Sequence, residues 1–372
     1  MPKKKAAINA SNLHFGGGVQ VASSFISDIL RSEEIYKKYL HTNDLTIFIS
    51  DKVMDSIDQK LLQKATSIKI IRRNSYGLKS IISNTFIFNS FDKVFTVFGP
   101  LYLIFKNFYH ICGFAQPWIA FSKSEFVLSQ KKPSNFFTFF KIKVQEIFFF
   151  KFTNELVVET SAVKENLSKN YSSNKKINVV PNCLNSNFVD INVDRSFIKD
   201  KNRIIDICYV SRGYLHKNHD FIYKLAKVIK QKEPSKNFNF HITLTKEEIT
   251  FLNPINHKYI INHGELNIKE LPSFYKKMDA SIFPSKLECF SAFPIESMYF
   301  LNHLFVANEP FNNYLPKECV NFIDTENIDE TANKILFHDY NDLSKLSKSK
   351  EFVDSLPSSI DRAKNYLSIL MD

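Results

Sequence analysis

The segment Glu288-Cys-Phe-Ser-Ala-Phe-Pro-Ile-Glu296 sets two carboxylates eight positions apart, across a short loop that runs into an apolar stretch of helical character, Pro294–Phe300. Just before it, Met278–Pro284 (MDASIFP) is a short apolar run of the buried-strand type. The order is therefore strand, acid-bearing loop, and helix with a second acid in its first turn, and both carboxylates lie at one sheet edge. The N–H groups that open a helix lack acceptors of their own and can hold a diphosphate; here they belong to the stretch Phe290, Ser291, Ala292 and Phe293. A carboxylate, in turn, accepts hydrogen bonds from vicinal hydroxyls. Taken alone the pair has a plainer explanation, since the helix dipole favours acids near its N-terminus.

A second motif, Ser211-Arg-Gly-Tyr-Leu-His-Lys217, follows the strand-like run Ile204–Val210 and precedes an amphipathic helix, Asp220–Lys230. Strand, basic loop and helix recur. From a loop at the carboxyl end of a parallel strand, Arg212 and Lys217 can converge on a diphosphate. Two basic residues in a surface loop are often merely solvated, but an acid pair at the edge of the same predicted sheet favours a site.

With these motifs the chain resembles glycosyltransferase family 4, whose members have the GT-B fold and transfer sugars with retention of configuration. The likeness extends over nearly the whole chain and to a subgroup found in bacterial O-antigen and capsular polysaccharide assembly, which the run Gly113-Phe-Ala-Gln-Pro-Trp118 resembles. It implies that Arg212 and Lys217 grip the donor diphosphate, that Glu288 lies near the donor sugar and that Glu296 meets the ribose. His14-Phe-Gly-Gly-Gly18 fits the family's glycine loop, with Gly17 and Gly18 beneath the reaction centre, and Val179–Asn182 resembles its hinge. Cys289, Ser291 and Ser211 stand where family members usually have glycine. The family often has an N-domain histidine that touches the donor sugar; the matching region here offers His110, which also reads as a core strand residue and then leaves Gln116 as the better-placed loop residue.

The resemblance implies an α/β architecture of two Rossmann-like domains facing across a cleft. Residues 1–180 form the acceptor domain, 181–202 a polar linker, 203–355 the nucleotide-sugar domain, and 356–372 a helix crossing back to the first. Periodicity places strands at Ala6–Leu13, Thr46–Ser50, Val94–Phe98 and Leu156–Glu159, then at Ile204–Val210, Phe238–Leu244, Tyr259–Asn262, Ala280–Pro284 and His303–Ala307. Helices are expected at Val19–Leu30, Ala162–Lys169 and Ile360–Leu370, an alternation that implies parallel sheets covered on both faces. A length of 372 residues suffices for two such cores. Only 8 glycines occur and three are consecutive, Gly16–Gly18, which marks a place where backbone must approach something closely.

Cys112, Cys183, Cys208, Cys289 and Cys319 show no zinc spacing and read as reduced cytosolic thiols. No Asp-x-Asp metal motif and no signal peptide are found, so the expectation is a cytoplasmic enzyme without metal or cofactor, using a UDP-, GDP- or TDP-sugar as donor. Residues 1–180 carry 25 Lys and Arg against 13 Asp and Glu, and the remainder 24 against 25, so the excess of +11 lies in the N-terminal half. No nucleic-acid module accompanies it. An anionic membrane surface fits better, at roughly 1 kcal/mol per basic residue near the lipid, and with it a polyprenyl-diphosphate-linked glycan acceptor at the inner face of the plasma membrane. In Ser134–Phe152, apolar residues at Phe136, Phe137, Phe140, Val144, Ile147 and Phe148 fall near one helical face. A helix so rich in Phe is expected to pack inside the N-terminal domain; the alternative is the apolar part of a lipid contact, with Lys131, Lys132 and Lys141 beside it.

Competing functions differ in specific ways. A Rossmann oxidoreductase would need a third fingerprint glycine where Val21 stands. A GT-B sugar-nucleotide epimerase would share the diphosphate site but need no acceptor. A non-catalytic partner subunit would have no use for Arg212, Lys217, Glu288 and Glu296.

Overall fold

Short apolar runs alternating with helices form two parallel sheets in a computed structural model that describes residues 3–64, 67–171, 175–186, 188–189, 191–194, 204–235, 237–252 and 259–371. The chain divides into two compact units, Met1–Cys183 with Pro357–Asp372, and Leu184–Leu356. The expected linker 181–202 lies partly outside the described residues.

The first unit holds β1 (Lys4–Ala10), β2 (Asn43–Ile49), β3 (Lys69–Arg72), β4 (Lys93–Thr96), β5 (Tyr109–Gly113), β6 (Glu155–Val158) and β7 (Lys176–Val179), in the order β3-β2-β1-β4-β5-β6-β7. Its central strands are buried along most of their length, as a sheet covered on both faces requires. After β1 the helix Gly16–Arg31 turns Val19, Ala22, Phe25, Ile26 and Ile29 to the core, the spacing of one helical face. The last helix, Ser359–Met371, buries Ala363, Tyr366, Leu367 and Leu370 on the same periodicity. It packs on Gly16–Arg31 through Tyr366, whose ring stands edge-on to Phe25 at 5.0 Å, and through buried Arg362, which donates to Asn182 Oδ1 and to Ser24 Oγ.

The second unit holds β8 (Ile205–Tyr209), β9 (Phe238–Ile242), β10 (Ile260–Asn262), β11 (Ala280–Phe283), β12 (His303–Ala307) and β13 (Val320–Ile323), in the order β10-β9-β8-β11-β12-β13. Rings of Tyr209, Phe283, Phe293 and Tyr275 meet beneath its helix Ala292–Tyr299.

Three expectations are corrected. The helix of the acid segment starts at Ala292 and not at Pro294, so Glu296 lies beyond the first turn, which holds no acid. A proline is tolerated there because first-turn N–H groups have no intrahelical acceptor. The three glycines belong to the first turn of Gly16–Arg31 and not to the preceding loop, with Gly16 at φ +67°. Finally, the Phe-rich helix, Phe136–Lys151, is not a core helix: Phe149 is its one buried residue. Its aromatic residues point in every direction around the axis, and a domain surface can cover only one side of a helix.

Candidate active site

The order of the second sheet reverses between β8 and β11, and in open parallel sheets ligands bind where the loops at the carboxyl ends of two such strands part. The loop after β8 carries Arg212 and Lys217, and that after β11 carries Glu288. Hydrogen bonds sew the two together. The Lys286 N–H donates to the His216 carbonyl at 2.8 Å, and Ser285 Oγ donates to the same carbonyl at 3.1 Å. Asn218, left-handed at φ 59°, donates from Nδ2 to the Pro284 carbonyl at 3.2 Å.

Lys217 and Glu288 are brought together directly: Lys217 Nζ donates to Glu288 Oε1, which also accepts from Ser285 Oγ at 2.8 Å. Arg212 is turned elsewhere. Its Nε donates to Glu248 Oε1 at 2.8 Å and its Nη1 to Glu265 Oε1 at 2.9 Å, so among the described residues Arg212 and Lys217 share no partner. Glu248 is itself held by a capping box, in which Thr245 N–H donates to Glu248 Oε2 at 3.0 Å and Glu248 N–H to Thr245 Oγ1 at 3.2 Å. Gly213 is required where these groups meet, because a Cβ there would stand 2.8 Å from that of Glu248. His219, pushed down to about 4 by burial and hence neutral at pH 7, places Nε2 2.9 Å from Ser211 Oγ and 3.2 Å from the Arg212 carbonyl.

Glu296, on the helix that follows the Glu288 loop, is almost wholly buried and accepts from the Tyr275 hydroxyl at 2.9 Å. Burial pushes its carboxyl up to about 7, against the hydrogen bond that lowers it. Ser291 is the N-cap of Ala292–Tyr299 and makes no side-chain cap bond. The first-turn donors there are Ala292 and Phe293, since Pro294 has no N–H. The Phe293 side chain is core, whereas Phe290 lies beside Tyr314 with ring centroids 5.7 Å apart.

In the first unit, Gly17 and Gly18 open the helix after β1, which together with β4 flanks that sheet's own reversal of order. A Cβ at Gly17 would meet nothing within 4 Å. His14 precedes them, stacked on Tyr76 at 4.5 Å with Nε2 2.9 Å from the Ser75 carbonyl. His110 is buried in β5, its Nε2 3.0 Å from Thr96 Oγ1 and its Nδ1 2.9 Å from the Phe152 carbonyl. Burial lowers it to about 4. Gln116 caps the short helix Pro117–Ala120 and donates from Nε2 to Gln145 Oε1 at 2.7 Å. Sequence reasoning missed Glu248, Ser285 and Tyr275. The Thr-x-x-Glu capping signature marks Glu248 as a helix-start residue, but no local signal points to its contact with Arg212.

No family model matches the chain. A curated relative, described as an uncharacterized 41.2 kDa protein in the cps region of Klebsiella pneumoniae, is 25% identical over 170 residues. The match takes in 44% of this chain and 46% of the relative, so the chain spans about half the length of the curated relative it matches. Among solved structures, WaaG, a glycosyltransferase involved in lipopolysaccharide biosynthesis, superposes with a TM-score of 0.67 at 10% identity over 98% of this chain and 99% of its own. TarM does so with 0.65 at 14% identity, over 99% and 98%. Anabaena HepE in complex with UDP and glucose gives 0.60 at 10% identity, over 99% of each chain. Likeness at such identities is one of fold, and the chain has the GT-B glycosyltransferase fold.

Proposed function

We propose that the protein is a retaining glycosyltransferase that moves a sugar from a nucleoside-diphosphate sugar to a lipid-linked glycan in bacterial surface polysaccharide synthesis. One observation carries the reading. The two loops that part between β8 and β11 bear Lys217 and Glu288 in contact, with Arg212 on the first loop and Glu296 on the helix that follows the second. Residues 203–355 hold the donor and residues 1–180 the acceptor, with the basic half against the anionic lipid face where such an acceptor lies. The bond from the anomeric carbon to the diphosphate breaks, and its electron pair leaves with the nucleoside diphosphate. The acceptor hydroxyl forms the new bond on the same face and passes its proton to the departing phosphate oxygen. Lys217, Arg212 and the Ala292 and Phe293 N–H groups offset the charge that develops on the leaving group. Among the described residues Arg212 Nε and Nη1 carry its hydrogen bonds, and Nη2 is the donor offered for this purpose.

Thermal shift with UDP-, GDP- and TDP-sugars tests donor binding, because a ligand that prefers the native state raises its melting temperature. The HepE structure contains UDP and glucose, so UDP is the first nucleotide to try. Arg212→Ala is expected to lower transfer at least about tenfold, from a charge-assisted contact of roughly 1.5–3 kcal/mol. Arg212 itself is 47% exposed and Glu248 keeps its capping-box bonds to Thr245, so melting should change little. Wild-type turnover from this variant would refute the assignment, and epimerisation of the donor without acceptor would replace transfer by the epimerase reading.

A further inference from the structure

The outward face of the helix Phe136–Lys151 is an unusual surface. Phe136, Phe137, Phe140 and Ile147 are 64%, 84%, 60% and 56% exposed, and they fall on one side of the helix with Lys141, Lys143 and Lys151 around them. The Phe136 ring lies 5.8 Å from that of Phe137 and 6.4 Å from that of Phe140. Single exposed apolar residues are ordinary, but a contiguous patch marks a contact surface. The helix is anchored toward its C-terminal end, where Phe149 packs on Phe114 at 4.8 Å and Phe150 stacks on Tyr171 at 4.1 Å. The apolar face is therefore presented by a fixed element.

Neighbouring elements also carry exposed apolar residues. Tyr102 packs against Phe148 of the same helix at 4.7 Å. The chain then runs to Ile104, whose N–H donates to Thr85 Oγ1 at 3.0 Å, and to exposed Phe105. Thr85 belongs to the helix Ile81–Phe88, which leaves Ile82 and Phe86 uncovered. Residues 73–152 carry ten Lys and Arg against three Asp and Glu. Lys143 is paired with Glu146 at 2.8 Å; Lys131, Lys132 and Lys141 are exposed.

We propose that this face is a bilayer-insertion surface, in which Phe136, Phe137 and Phe140 enter the acyl boundary while the surrounding lysines meet anionic headgroups. Charge decides the occupant. A second copy docking through the same patch would set like charge against like, whereas an anionic leaflet complements it. Aromatic residues on one face with lysines around them are the composition that lies in a lipid interface. The inference deepens the proposed function by naming how its lipid-linked acceptor is reached, but it stands on a surface distinct from the donor site. Vesicle binding is measured without donor, so its failure leaves the transfer reading intact, and loss of transfer with intact binding would do the reverse.

The full chain is sedimented with phosphatidylcholine vesicles containing about a third phosphatidylglycerol, at low and high salt. Replacing Phe136, Phe137 and Phe140 together by Ser is expected to lower partitioning at least about tenfold, with melting unchanged because none of the three is buried. Lys131→Glu, Lys132→Glu and Lys141→Glu together should weaken binding at low salt and matter little at high salt, where screening has already removed their contribution. A Phe137→Trp reporter should shift its emission to the blue on adding vesicles and be quenched by brominated lipid. Unchanged partitioning of the triple Ser variant, or a reporter indifferent to lipid, overturns the proposal. So does a fall in the molecular mass of the lipid-free protein on the same Ser substitutions, which would make the face an interface between copies.

Discussion

Replacing Lys217 by Met removes one member of a pair whose side chains are only 14% and 9% exposed. Among the described residues Glu288 is left with the Ser285 hydroxyl as its side-chain partner. Breaking a buried pair by deleting one partner costs about 3–5 kcal/mol, mostly because the other charge stays behind uncompensated. The residual exposure argues for the lower end. In a unit of this size about 1 kcal/mol moves the melting temperature by roughly 2–4 °C, so the transition should fall by roughly 6–12 °C. Lys217→Met with Glu288→Gln removes both charges at nearly constant volume and should recover most of that loss. Transfer should not recover, since the contact with the leaving group, about 1.5–3 kcal/mol, is missing from both variants. Calorimetry and initial rates on the three proteins decide. A double variant that melts with the single one would mean that no buried ion pair is at stake, and one that transfers at the wild-type rate would remove Lys217 from the reaction.

Glu296 makes stability depend on pH. Its carboxyl is raised from 4.5 to about 7, so between these values the folded chain keeps a proton that the unfolded chain releases, and stability falls as pH rises through the window, by about 3 kcal/mol in total. Glu296→Gln should flatten this part of the melting-versus-pH curve; a variant curve parallel to wild type would contradict the assignment. Two glycines should behave oppositely. A Cβ at Gly113 would stand 1.7 Å from the Val97 carbonyl oxygen, and Gly113→Ala is expected to cost at least about 3 kcal/mol on denaturant titration. Gly17→Ala meets nothing within 4 Å; it should melt like wild type and lower transfer only if substrate approaches that backbone.

The alternation of strands and helices was legible wherever an apolar run had polar borders. His303–Ala307 was read to the residue as β12, and β8, β9, β10 and β11 within two residues. β5 was anticipated only through His110 as a core strand residue; β3, β7 and β13 were passed over, each four residues long, and β3 and β7 begin with Lys and are at most half-buried. The Phe-rich helix misled because the apolar face read from its spacing includes Phe136, Phe137, Phe140 and Ile147, which are exposed, whereas Phe149 outside that face is the buried residue, and nothing local says which side a neighbour covers. At the candidate site the loops bearing Lys217 and Glu288 were legible from their place after strands. The partners of Arg212 were not, because Glu248 and Glu265 lie 36 and 53 residues further on. The Tyr275 hydroxyl on Glu296 likewise joins residues 21 apart through the packing of two helices.

The return of Ser359–Met371 onto Gly16–Arg31 has a consequence for how the protein is made. Ser359 follows Arg31 by 328 residues, so at roughly 5–20 residues per second a ribosome needs on the order of 15–65 s between the two. For that interval the half begun first must wait for its last piece, with Phe25 and the neighbouring core of Gly16–Arg31 lacking the Tyr366 ring that later closes over them. The half begun second, Leu184–Leu356, has all its strands before that piece appears. Vectorial synthesis thus completes the two halves in reverse of the order in which it starts them, and the nascent first half is the stretch of this chain most exposed to chaperones and proteases.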